Sequence, residues 1–406
     1  MKKTLCASMC LALVGAWWYV RFHAATPDSA ADVPHVPPVA GGYEVLSPNG
    51  ADPNEYVGFQ ACAPCHDSIC KAQNASHMAN SLKTVAEYQQ EKGVLPPAKF
   101  YDEQNDIRYE VVASGDQLYL SAAWRGRSAQ APFTYVLGSG LQGLSFLHER
   151  GPQDFQELRL SFYTKAREWD FTGAQEDVRP ESMEQVLGSI EPGRGMRCLR
   201  CHSTLLVHDG TKLMRNESRF GVTCERCHGP GRAHVQAAWR GQHVPIGDRP
   251  FERAMQAARS ATEFREAASR RDSVVCGECH GNDALSPNVP DFYLSRFPIA
   301  ALPQSKCYRQ SLGKLLCTDC HDPHSNAEHD DMSRYVRVCL VCHGTKNADT
   351  KTGSAHLVPP PVRNSCTVNP DDGCIGCHMP KREPVYRGIF THHRIAIHAS
   401  DESNDP

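Results

Sequence analysis

The sequence predicts short α-helices and loops wrapped around bulky groups that the chain itself does not encode, interrupted by one small antiparallel β insertion. Three observations predict it. Seven C-x-x-C-H motifs occur in 406 residues. The last six crowd between Cys198 and His378, about thirty residues apiece, too few for each segment to bury a core of its own. Residues of about 96–175, by contrast, contain no cysteine and hold short runs that alternate apolar and polar.

Composition bounds the function before the motifs are read. The chain is 40% hydrophobic and 22% charged, with a formal net charge of −3. That balance argues against nucleic-acid binding and gives no strong field to steer an anionic partner. The unusual figure is 19 cysteines. A disulfide framework and a metal or prosthetic-group protein both use cysteine heavily, and position separates them. Fourteen of the nineteen fall in pairs two residues apart, each pair followed at once by histidine.

The N-terminus reads as an export signal over residues 1–23. Lys2 and Lys3 precede an uncharged apolar run from Leu5 to Val20, closed by Arg21. Cleavage after the small-x-small site Val14-Gly15-Ala16 would leave Trp17-Trp18-Tyr19 on the mature chain. An uncleaved anchor of about seventeen residues, with those aromatics at the interface, is the alternative. Both readings place the protein in the periplasm, the second with a membrane tether. Neither Cys6 nor Cys10 sits in a lipobox. Residues 24–54, rich in Pro, Ala and Gly, read as a flexible linker.

The motifs are Cys62-Cys65-His66, Cys198-Cys201-His202, Cys224-Cys227-His228, Cys276-Cys279-His280, Cys317-Cys320-His321, Cys339-Cys342-His343 and Cys374-Cys377-His378. Two thiols at this spacing reach the two vinyl groups on one side of a porphyrin as thioethers. The histidine that follows then lies under the ring as the proximal iron ligand. Zinc also uses C-x-x-C, but has no need of a histidine directly after the second cysteine, seven times over. The expected cofactors are therefore seven covalently attached haem c groups. The fold class follows: a multihaem cytochrome c in which stacked porphyrins supply the core.

The chain then divides into a first haem segment (55–95), a β-rich insertion (96–175), a six-haem domain (176–398) and an acidic tail (399–406). Between the later motifs, turn clusters such as Gly229-Pro230-Gly231, Pro287-Asn288-Val289-Pro290 and Asn369-Pro370-Asp371-Asp372 replace long periodic runs. The insertion predicts strands at Ile107–Val112, Gln117–Leu120, Phe133–Val136 and Leu158–Tyr163. Its expected role is to cover one side of the haem stack, with docking or substrate access as the alternative.

The sixth iron position decides whether such a protein carries electrons or also does chemistry. A second histidine saturates the iron, methionine raises its potential, and an empty position admits substrate. His77, His234, His324, His356 and His393 are the expected distal ligands. His324 stands three residues past His321, too close to wrap round the same iron, and should serve a neighbouring haem. His148, His208, His243, His329, His392 and His398 are the further candidates for the two irons left over, with Met78 and Met379 behind them. Of the remaining cysteines, Cys70 reads as a buried free thiol. Cys307 and Cys366 could form a disulfide or stay apart, since sequence does not give connectivity.

Tyr56-Val57-Gly58, Ala61-Cys62-Ala63-Pro64-Cys65-His66 and Ser76-His77 together resemble the opening of cytochrome c-552/c-554-type multihaem domains. Cys224-Glu225-Arg226-Cys227-His228-Gly229-Pro230-Gly231, Cys317-Thr318-Asp319-Cys320-His321-Asp322-Pro323-His324 and Cys374-Ile375-Gly376-Cys377-His378-Met379-Pro380 are similar to later parts of the same group. The resemblance spans residues 55–395. It implies close-packed haem pairs, mostly bis-histidine ligation with His77, His234, His324 and His393 at matching positions, and periplasmic electron transfer. The wider haem-stacking superfamily also contains hydroxylamine-oxidising enzymes and reductases of nitrite or tetrathionate. Many of those reductases carry C-x-x-C-K, which is absent here. The expected function is thus electron transfer between a respiratory donor and an acceptor, with a quinol oxidase, a cytochrome or a reductase as redox partner. The alternative is an oxidoreductase acting on a small nitrogen or sulfur oxo-compound at one five-coordinate haem, so whether the chain is an enzyme stays open.

Overall fold

A computed structural model describes residues 44–46 and 52–398, apart from 116, 152, 247–253, 256, 282–290, 312–314, 328–329, 345–365, 370–371 and 386. The expected signal or anchor (1–23), the acidic tail (399–406), His329 and His356 lie outside the described residues. Among the described residues no helix is long and apolar enough to cross a membrane.

Residues 24–54 were expected as a flexible linker, yet Glu44–Leu46 form strand β1. It pairs antiparallel with β12 (Ser203–His208), bringing Glu44 opposite His208, and β13 (Arg219–Phe220) completes that sheet. Helix α1 (Phe59–Asn74) carries the first motif. Pro64 sits inside it, and His66 has φ −120° and ψ 36°, so the helix bends at the motif histidine. Strand β2 (Leu82–Thr84) follows, then helix α2 (Val85–Lys92). The start of α2 is fixed by a reciprocal capping box between Thr84 and Glu87.

The β region is more substantial than a small cover. Strands β3 (Ala98–Asp102), β4 (Ile107–Ser114), β5 (Gln117–Trp124) and β6 (Arg127–Pro132) make an antiparallel meander. The strand expected over Ile107–Val112 is β4, where Ile107, Tyr109 and Val111 point inward while Arg108 and Glu110 face solvent. Trp124 pairs with Arg127 across a two-residue turn, Arg125 at φ 49° and Gly126 at φ 73°. Positive φ at both positions is what the tight primed hairpin turn requires.

A second sheet joins β2 to β7 (Tyr135–Leu137), β8 (Ser145–Gly151) and β9 (Asp154–Glu157). Strands β10 (Leu160–Tyr163) and β11 (Glu168–Phe171) form a hairpin beside it. The core between these layers is aromatic: Phe133 meets Phe146 edge-on at 4.6 Å, and Trp169 lies 5.4 Å from Phe146. Val85, Leu95 and Val186 are buried in the same cluster. The boundaries expected at 96 and 175 therefore cut through a unit that takes β2, α2 and helix α3 (Met183–Leu187) from its neighbours.

The motif region is built differently. Helix α4 (Arg194–His202), bearing the second motif, lies against β9. Gly195 makes that approach feasible, since a Cβ there would stand 2.2 Å from the Phe155 carbonyl oxygen. Short helices follow: α5 (Cys224–His228), α6 (Arg232–Trp239), α7 (Ala261–Arg271) and α8 (Gly277–His280). After them come α9 (Asp291–Leu294), α10 (Pro298–Ala301), α11 (Lys306–Gln310), α12 (Cys317–Cys320), α13 (Ser333–His343) and α14 (Cys374–His378). The hairpin of β14 (Lys381–Val385) and β15 (Gly388–Thr391) closes the described chain. Arg387 fastens it to the β region through Glu168 and Asp170. Among the described residues, all four clusters of buried apolar side chains draw on residues 56–235. The stretch holding the last four motifs contributes to none of them.

Candidate haem-attachment and axial-ligand sites

Three motif histidines each face a histidine from elsewhere in the chain. His66 on α1 faces His234 on α6, with ring centres 6.4 Å apart and planes 24° from parallel. His228, at the end of α5, faces His324 at 6.2 Å and 5°. His321 faces His393 at 6.2 Å and 40°. Metal–imidazole bonds of about 2 Å on both sides of one ion put the ring centres roughly 6 Å apart. The spacing therefore fits an iron between each pair.

Hydrogen bonding points the same way. Nδ1 of His202 lies 3.0 Å from the Ser81 carbonyl oxygen, and Nδ1 of His378 lies 3.0 Å from that of Ala396. His393 and His234 place Nδ1 at 2.9 Å and 2.5 Å from the carbonyls of Thr391 and Val244. An Nδ1–H donated to a backbone carbonyl leaves Nε2 as the lone pair for a metal. Burial depresses the protonation of His202, His280 and His324, and holds that of His393 down to about 4. At neutral pH these imidazoles are in the form that binds metal.

The thiols of different motifs also converge. Cys62 lies close enough to Cys224, Cys201 to Cys279 and Cys276 to Cys317 for each thiol to perturb its partner's ionisation. In each pair the contact raises the thiol of one partner and lowers the other, Cys224, Cys279 and Cys276 being the lowered members. Cys339 and Cys374 meet likewise, linking the sixth and seventh motifs. None of the described cysteines is disulfide-bonded, Cys307 and Cys366 included, and Cys70 is buried. Among the described residues no cluster of three or more His, Cys, Asp or Glu side chains forms a metal site.

The residues inside the motifs carry structure that the spacing alone conceals. Glu225 accepts hydrogen bonds from the backbone N–H groups of Val57, Gly58 and Gly231 at 2.8–2.9 Å. Arg226 forms an ion pair with Glu278 of the fourth motif at 3.1 Å. Asp319 pairs with Arg265 at 3.4 Å. Asp272 accepts from the Cys317 N–H at 2.8 Å and from Arg271, which also reaches Thr318. Charged residues between the paired cysteines were the signal, and nothing in the pattern said what they would touch.

The remaining ligand candidates scatter. His77 is partly buried, its backbone N–H donating to Asn326 Oδ1 at 2.7 Å, which ties the first haem segment to the loop after the fifth motif. His392 is fully buried and engaged at both nitrogens, Nε2 with the Asp291 carbonyl and Nδ1 with the Arg394 N–H. His208 accepts from the Gly210 N–H at Nδ1 and lies against Gln153. His243 is exposed and His398 places Nε2 at the Arg394 carbonyl. His148, on β8, keeps its Nδ1 buried without a partner, far in sequence from any motif.

Residues 156–229, which hold the second and third motifs, match the family described as cytochrome c554 and c-prime. The match is confined to that segment, which is similar to a c-type cytochrome. Among solved structures, the chain is similar to the outer cell wall cytochrome OcwA at 16% identity, covering 84% of this chain and 79% of that one, with a TM-score of 0.42. A likeness of that size adds nothing to the fold assignment. No curated protein matches the chain.

Proposed function

We propose that the chain is a periplasmic heptahaem electron-transfer cytochrome. Fourteen cysteines would hold seven haems, and the motif histidines His66, His202, His228, His280, His321, His343 and His378 would be their proximal ligands. The observation that carries this reading is the opposition of His66 to His234, His228 to His324, and His321 to His393 at 6.2–6.4 Å. His234, His324 and His393 are accordingly the distal ligands of the first, third and fifth haems. His77 and His356 remain proposed ligands from the sequence.

When bound, haem c supplies one-electron redox chemistry at iron. The chain's residues do the rest. Paired imidazoles would saturate the iron at three sites, and the carbonyls of Val244 and Thr391 would hold two of the distal rings in place. Contacts between thiols of different motifs bring the attachment points of neighbouring haems together, which suits a relay between a donor and an acceptor protein. Export, by cleaved signal or by anchor, belongs to the same proposal because thioether attachment is completed outside the cytoplasm. Electron paramagnetic resonance of the oxidised protein tests the ligation. Low-spin signals from at least three bis-histidine haems are expected, and a spectrum that is high-spin throughout would overturn the reading.

A further inference from the structure

We propose that Glu225 is the positioning residue of the first haem site, its carboxylate fixing the two helices that carry His66 and His234 so that the imidazoles face each other. The inference rests on the reading of those two histidines as ligands of one iron.

Helix α1 begins after Gly58 and α6 after Gly231. Neither helix has a side-chain cap, and neither has an acidic residue in its first turn. A helix start normally satisfies its free N–H groups with such a side chain and favours negative charge nearby. Here one carboxylate from a third helix serves both. Oε1 accepts from Val57 at 2.9 Å and from Gly231 at 2.8 Å, and so bridges the two helix starts. Oε2 accepts from Gly58 at 2.8 Å. Glu225 is 1% exposed, so water does not compete for these bonds.

The surroundings fit closely. Val57, Ala61 and Val235 pack between α1 and α6. A Cβ on Gly231 would come within 3.1 Å of Val57 and 3.2 Å of Glu225, so the segments already stand at contact. Glu225 lies between the cysteines of the third motif, and Cys224 beside it meets Cys62. Attachment of the third haem thus fixes the anchor, and the anchor fixes the ligand pair of the first. Its replacement acts on His66 and His234 through the backbone, without touching either ring.

The test uses full-length protein carrying its haems. Three proteins are compared: wild type, Glu225→Gln and His234→Ala, each checked by intact mass for haem number. The readouts are the high-spin signal of the oxidised form and carbon monoxide bound per chain after reduction. His234→Ala gains one open haem if the ligand reading holds; no gain there overturns that reading and the inference with it. Glu225→Gln keeps the side-chain volume and one acceptor oxygen but turns an amide N–H₂ toward a backbone donor. It is expected to retain all its haems and to open the same single haem. A wild-type spectrum and unchanged carbon monoxide binding in Glu225→Gln, with His234→Ala responding, would refute the positioning role alone. Opening of several haems together would refute it as well, since that marks general loosening. If Glu225→Gln fails to accumulate, Glu225→Asp, which keeps the charge on a shorter arm, carries the same comparison and the same two outcomes.

Discussion

His228 and His324 face each other with ring centres 6.2 Å apart and planes only 5° from parallel, although 95 residues separate them. His324 stands three residues beyond His321, which faces His393 instead. One short loop therefore holds a histidine of each of two facing pairs, the proposed proximal ligand of one haem and the proposed distal ligand of another.

This arrangement predicts the result of removing His324. His324→Ala should keep every haem attached and gain one high-spin haem that binds carbon monoxide when reduced. The haem concerned would be the one attached at Cys224 and Cys227, with His228 as its proximal ligand. Resonance Raman spin-state markers check it, and an unchanged low-spin spectrum would remove His324 from the ligand set.

The buried pair Arg159–Asp102 predicts a large stability effect from residues outside every motif. The two side chains are 0% and 2% exposed, with Nη2 at 3.3 Å from Oδ2 and at 2.7 Å from the Val178 carbonyl. Asp102→Ala would leave a guanidinium buried without its counter-charge. The expected cost is about 3–5 kcal/mol, seen in denaturant unfolding followed by tryptophan fluorescence. The haem count of the protein that does fold should not change.

The closeness of α4 to β9 predicts that Gly195→Ala is poorly tolerated. The added methyl would meet the Phe155 carbonyl at 2.2 Å, so the helix of the second motif must move. A loss of about 2 kcal/mol or more is expected. Thermal melting monitored by far-ultraviolet circular dichroism measures it.

Acid sensitivity of the β region is predicted from His148. Burial lowers its protonation below the usual histidine range, with Arg150 adding to the effect. The unfolded chain, whose histidine titrates normally near 6.5, then takes up the proton more readily than the folded one. Its contribution to stability is present above about pH 6.5 and is lost as pH falls below it. His148→Leu should flatten that part of the curve of denaturation midpoint against pH. An identical curve would show that another group is responsible.

The proposed attachment sites are legible in the sequence because covalent attachment would demand fixed spacing: the paired thiols and trailing histidine leave no freedom in register. Distal ligands carry no such local signature. His234, His324 and His393, the proposed ones, are in sequence only histidines near motifs, and which motif each faces depends on packing between segments up to 168 residues apart. His392 differs from His393 by one position, yet Asp291 and Arg394 occupy both of its ring nitrogens. The β strands were legible through alternation, as at Ile107, Tyr109 and Val111. The extent of that unit was not, because Leu82–Thr84 and Met183–Leu187 join it from segments read as haem-binding. Glu225 was invisible as an anchor, since its partners are backbone N–H groups that a sequence does not distinguish.

The most direct measurement is the intact mass of the purified, exported protein, set against its haem content by the pyridine haemochrome assay. Seven covalently added haems per chain are predicted. A colourless protein, or one whose mass carries fewer than seven, would contradict the account.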